Sequence, residues 1–101
     1  MKFKTYKIKS EVWIYPGVQA AWHFASVDKK NSEEMKKTFG ACARGFGSLP
    51  VLVTVGQTNW KTSIFPDRKS GTYLLPLKAS VRNKEGIRAG DSITFHLKIL
   101  S

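Results

Sequence analysis

Cysteine is almost missing from this chain. Cys42 is the only one in 101 residues, so no intrachain disulfide can staple the fold, and a soluble protein of the reducing cytoplasm is the expectation. Acidic residues are scarce too, and none form a pair suited to acid–base catalysis; the adjacent Glu33 and Glu34 read as charge at a helix N-terminus. Two histidines, His23 and His96, and one cysteine lack the paired spacing of a zinc or iron site, so no metal and no cofactor are expected. There is no Walker sequence and no nucleophile elbow around Ser63. The start, MKFKTYKIKSE, has no continuous apolar stretch able to act as a secretory signal or to span a membrane, and no membrane association is expected.

What the chain does have is positive charge. Seventeen Lys and Arg against seven acids leave a net charge of +10. A summed positive field of that size raises the local concentration of phosphates and speeds encounter with a polyanion, although it serves solubility equally well. Thirteen of the basic residues are Lys; only Arg44, Arg68, Arg82 and Arg88 offer planar, bidentate forks. Apolar residues at 42% and aromatics at 12% are the composition of a packed globular domain, and the length allows one domain, 1–101, with its own core.

Hydrophobic alternation dominates the pattern. Tyr6, Ile8, Val12 and Ile14 share one face of a first strand, with Lys7, Lys9 and Glu11 on the other, and Pro16-Gly17 closes the run. Trp22, Phe24 and Val27 indicate a second strand. NSEEMKKTFG reads as a short helix, capped by Asn31 or Ser32 and stopped at Gly40. The loop GACARGFGSLP leads to a third strand, Val51 to Val55. WKTSIF follows at hairpin spacing, PDRKSG turns into TYLL, and ITFHLKIL alternates Ile93, Phe95, Leu97 and Ile99 against Thr94, His96 and Lys98. Six half-buried strands in so small a chain close into a barrel, and Pro76 marks a corner where ladder pairing stops. Beyond it, KASVRNKEG forms a short helix ending at Gly86, with Lys78 and Arg82 one turn apart.

The order strand, Pro, short basic helix, Gly-Ile-x-x-Gly-Asp, strand in LLPLKASVRNKEGIRAGDSITFHLKI resembles the swapped-hairpin half of AbrB-type transcription regulators. More closely, RGFGSLPV, WKTSIFP, YLLPLKASVR and GIRAGD resemble an uncharacterised bacterial family, catalogued as domain of unknown function 1905, from about Val12 to the C-terminus. The resemblance implies an all-β fold with two short helices: a small closed double-split β-barrel, a single-chain pseudo-dimer of AbrB-like halves. It brings no activity. AWHFASVDKKNSEEMKKTFG repeats the strand, corner and helix order of TYLLPLKASVRNKEGIRAGD, with Val27-Asp28 where the second copy has Pro76.

Several residues are candidates for function. RGFGSLPV begins like the octapeptide of RNA-recognition motifs, but Ser48 and Val51 stand where aromatics belong and Pro50 interrupts the strand, so the match fails. Arg44 and its glycines can still cradle an anion through backbone N–H groups, or simply turn the chain. Cys42 near Arg44 is a weak candidate nucleophile, better read as a small packing residue. Lys61 and Ser63 share a strand face, and beside Lys78, Arg82 and Arg88 they would form a basic patch for a phosphate or carboxylate; otherwise Lys61 is a solvated charge and Trp60 packs the barrel. The expectation is a non-enzymatic, monomeric binding module for an anionic partner, nucleic acid first. The alternatives are a pocket for a small anionic metabolite and, less favoured, an enzyme using Cys42.

Overall fold

In a computed structural model, residues 4–15 and 22–100 are described. Six antiparallel strands close into one barrel in the order β1-β2-β5-β4-β3-β6. In chain order these are β1 (Thr5–Ile14), β2 (His23–Ser26), α1 (Lys29–Phe39), β3 (Leu49–Val55), β4 (Thr58–Asp67), β5 (Thr72–Pro76), α2 (Ala79–Glu85) and β6 (Ser92–Ile99).

Closure depends on two long strands that change partners midway. β1 pairs with β6 from Thr5 to Glu11 and with β2 from Val12 to Ile14. β4 pairs with β3 from Thr58 to Ile64 and with β5 from Phe65 to Asp67. The chain therefore builds the same unit twice, strand–strand–helix–strand, and exchanging the two copies leaves the pairing scheme unchanged. Ala25 and Leu75 sit opposite each other on the resulting pseudo-two-fold axis, flanked by Phe24↔Pro76 and Ser26↔Leu74. Equivalent hydrogen bonds recur on both sides: Val27 N–H donates to the Tyr73 carbonyl at 2.8 Å and Leu77 N–H to the His23 carbonyl at 2.9 Å. The axis makes Ser26, and not Val27-Asp28, the counterpart of Pro76, which shifts the internal repeat by about a residue from the sequence alignment.

Inward alternation builds the core. Leu49, Val51, Val53 and Val55 of β3, Ile64 of β4, Leu75 of β5, and Phe95, Leu97 and Ile99 of β6 are buried together with Tyr6, Ile8 and Val12 of β1. Ile14, expected to continue that inner face, is 45% exposed, because β1 has by then left β6 for β2. Pro16-Gly17, expected to end the strand, lies outside the described residues. β3 begins two residues before the expected Val51. Pro50 is accommodated near its start, opposite Ser63, and the Pro50 carbonyl accepts the Leu100 N–H.

Both helices follow local rules. α1 buries Ser32, Met35 and Phe39 at helical spacing. Its cap is Asp28, one turn earlier than expected: Asp28 Oδ2 accepts the Asn31 N–H at 3.0 Å and Oδ1 the Asn31 side-chain amide at 2.9 Å. Burial raises the Asp28 carboxyl, but those bonds outweigh it and hold the group below the usual carboxylate range. α2 has only Val81 buried, and is ended by Gly86 in the left-handed region at φ 65°. The return GIRAGD then clasps β1 where it switches partner: Val12 N–H donates to the Asp91 carbonyl and Gly90 N–H to the Val12 carbonyl, at 2.8 and 2.7 Å.

Ser32 joins α1 to the barrel. Its hydroxyl donates to the Val27 carbonyl at 3.1 Å and accepts the buried Tyr73 N–H at 3.0 Å. Ser32→Ala removes the first bond and strands the second donor, so unfolding should become easier by about 1–3 kcal/mol. Urea denaturation checks this; an unchanged midpoint would show that α1 is not anchored through this hydroxyl.

Candidate functional site

Two clefts lie beside the helices. One, of about 620 Å³, lies between α1 and the β4–β5 turn; Lys29, Lys36, Lys37 and Arg68 share it with the acids Glu33 and Asp67. The other, of about 410 Å³, lies between α2 and β4 and is lined by Trp22, His23, Trp60, Lys61, Thr62, Pro76, Leu77, Lys78 and Arg82. This second cleft presents three basic side chains, two indoles and no carboxylate. It is the site with a one-sided chemistry.

Each wall has a local cause. β4 carries Trp60, Lys61 and Thr62. Trp60 sits across from Val53 and packs on the core while remaining half-exposed, and Lys61, opposite Leu52, belongs to the outward set. α2 is pinned to this strand because the Thr58 hydroxyl donates to Glu85 Oε2. The β3–β4 turn passes so close that a Cβ at Gly56 would meet Glu85 Oε1 at 2.2 Å, and Gly56 also has φ 56°, a conformation that favours glycine. Arg82 is oriented from behind: its Nε donates to the Leu77 carbonyl at 3.0 Å, the same carbonyl position that Ser32 engages in the other half.

Of the residues singled out from sequence, Lys61, Lys78 and Arg82 come together here. Ser63 is half-buried opposite Pro50 and does not line the cleft. Arg88 is exposed in the return loop, where its backbone N–H donates to Asp91 Oδ2 at 2.8 Å, and it does not join Lys78 and Arg82. Arg44 is exposed beside the loop GFG. Three of the N–H groups there are engaged within the loop: Arg44 N–H is given to the Ser48 carbonyl, Gly47 N–H to Arg44 and Ser48 N–H to Gly45. Arg82 is half-buried. Cys42 ends a short 3₁₀ turn after α1, is exposed, and does not line the cleft that holds His23. Among the described residues no group of three or more His, Cys, Asp or Glu is placed to hold a metal.

Trp22 and His23 were not foreseen as site residues. They belong to a wider cluster: Trp13, Tyr15, Trp22 and Phe24 lie on the outer face of the β1–β2 pair, with ring centroids 5.3 Å apart for Trp13–Phe24 and 6.2 Å for Trp13–Tyr15, Tyr15–Phe24 and Trp22–Phe24. Trp22 is 55% and Tyr15 48% exposed, while Trp13 is tethered through Nε1 to Ser26 Oγ at 3.0 Å. The signal in the sequence was the two aromatic pairs at spacing two. Their side of the sheet follows from the register Val12↔Ala25, which points the small alanine inward and the rings out.

Residues 9–97 match the family model described as Domain of unknown function (DUF1905). The chain belongs to this family. No curated protein matches it. The DUF1905 fold thus supplies the barrel, and the chemistry of the cleft has to be read from its own side chains. Among the described residues of this DUF1905 domain, no helix is long and apolar enough to cross a membrane.

The exposed loop of the DUF1905 domain carries one unusual residue. Phe46 has φ 60° and is 96% exposed, with Gly47 (φ 75°) leaving room for a Cβ only 3.0 Å from Pro66 Cγ. A non-glycine residue in the left-handed region costs about 1–2 kcal/mol. Phe46→Gly should therefore raise the melting temperature modestly; a clear fall in a thermal melt would show that the ring packs.

The two cations on α2's approach should differ in stability role. Lys78→Ala is expected to leave the denaturation midpoint within about 0.5 kcal/mol, whereas Arg82→Ala, which frees the Leu77 carbonyl, should cost about 1 kcal/mol. Equal effects in parallel urea titrations would contradict the positioning of Arg82.

Proposed function

We propose that this domain is a non-enzymatic binding module for single-stranded nucleic acid. The supporting observation is the sharing of Trp22 between an acid-free cationic cleft and an exposed cluster of aromatic rings. Proteins that hold single strands combine a basic groove along the phosphates with π-faces on which bases stack, each stacked base contributing about 1–3 kcal/mol. Lys61, Lys78 and Arg82 would meet phosphates; Trp22 and Tyr15 would meet bases. The likeness of the second half to AbrB-type regulators adds an analogy of fold, which does not carry function.

The net charge favours the same reading. Asp28, Glu34, Asp67, Glu85 and Asp91 are each engaged in a cap, a turn, an ion pair with Lys4 or a tie between elements. Five of the seven acids are thus committed to local contacts, in a chain of net charge +10. A single chain closes the barrel, and self-association would bring like charges together, so we place the module in solution as a monomer. An exposed free thiol suits the reducing cytoplasm. The second reading, a small anionic metabolite, is favoured by the concavity of the cleft.

Fluorescence anisotropy on a labelled single strand across a salt series tests the proposal. Lys61→Ala with Lys78→Ala should reduce the slope of log affinity against log salt by about 1.4, at ~0.7 per phosphate contact, while Trp22→Ala should weaken binding at every salt without changing the slope. Absence of binding by the wild type at low salt would overturn the strand reading. Tight binding with a slope near that of a single charge would assign the cleft to a small ligand.

A further inference from the structure

We propose that the cleft receives the phosphorylated end of a strand, a terminal phosphomonoester, and not an internal phosphodiester. This rests on the strand-binding reading above and narrows it.

The argument is one of charge and geometry. Lys61, Lys78 and Arg82 bring three positive charges to about 410 Å³ with no acid among the lining residues. An internal diester has a single negative charge and two non-bridging oxygens. A phosphomonoester carries about −1.5 to −2 at neutral pH and offers three acceptor oxygens. The larger charge balances the cleft more closely, and concentrating three cations around one diester would leave most of their repulsion uncompensated.

Arg82 sharpens the match. Its Nε is already given to the Leu77 carbonyl, which fixes the guanidinium plane and leaves the two terminal NH₂ groups to face a ligand. Two parallel N–H···O bonds to one phosphate are the strongest form of such recognition, and a terminal phosphate can present its oxygens without a second ester in the way. Trp22 continues from the cleft to Tyr15 and Phe24, so a base attached to the bound phosphate meets a ring at the exit. The cleft beside α1 is built differently: Ser32 takes Arg82's place, and Glu33 and Asp67 bring negative charge.

The test uses three oligonucleotides of one sequence, about ten nucleotides long, with a 5′-phosphate, a 3′-phosphate or neither, compared at one salt concentration. One phosphorylated form should bind at least about tenfold more tightly than the unphosphorylated strand, the scale of a charge-assisted hydrogen-bond pair. Arg82→Lys keeps the charge and loses the fork, so it should abolish that preference, the phosphorylated and unphosphorylated strands then binding the variant alike; a thermal melt confirms that the variant is folded. Equal binding of all three strands by the wild type would overturn the end inference and leave strand binding standing. Binding of none would overturn both. A nucleoside monophosphate that binds as tightly as the phosphorylated strand would assign the cleft to a free ligand and likewise overturn recognition of an end.

Discussion

Barrel closure rests on β1 and β4, each of which must serve two neighbours in turn. A ten-residue strand cannot stay paired with one partner over its full length in so small a barrel; it bends away and leaves its first partner at Glu11 or Ile64. Every other feature answers to that split. The GIRAGD return is needed where β1 lets go, α1 and α2 close the gaps at the barrel's corners, and the clefts lie where helix and strand diverge. The ligand-sized space is thus a geometric by-product of closing six short strands without an edge.

Electrostatics follows from the same economy of parts. With few acids available, the fold uses most of them locally: Asp28 and Asp91 satisfy backbone N–H groups, Asp67 fastens the β4–β5 turn through Ser70, and Glu85 ties α2 to the hairpin. Among the basic residues described, Arg82 holds a backbone carbonyl and Lys4 pairs with Glu34. The surface potential is a consequence of where the acids are needed. The cleft between α2 and β4 is the place where that imbalance coincides with aromatic surface.

Much of this fold could be read in the residues. Alternation in ITFHLKIL, the hairpin spacing before WKTSIF, the Pro76 corner and the Gly86 stop all express short-range rules, and each element appears where those rules place it. What escaped was set by register and by distance. Nothing near Trp22 or Phe24 states that Ala25 is the inward residue, because that depends on pairing with Val12, distant in sequence. Asn31 was a sound cap by composition, yet Asp28 is better placed, since the helix starts earlier than its polar run implies. For the site, Lys61, Lys78 and Arg82 were legible as a group because two lie one helical turn apart and the third on a strand of known facing. Arg88 and Ser63 do not line the cleft, and their placement depends on a turn and on the pairing with Pro50.

Ser32 and Arg82 occupy corresponding places and reach corresponding carbonyls, yet one is a sealed hydroxyl and the other a cation at a cleft. In a barrel assembled from two identical chains, any substitution is made twice, and a residue that opens one side opens both. Joining the halves in one polypeptide removes that restriction. One half can then be kept for rigidity while the other drifts toward recognition, and a ligand approaching the molecule meets a surface with a single, oriented front.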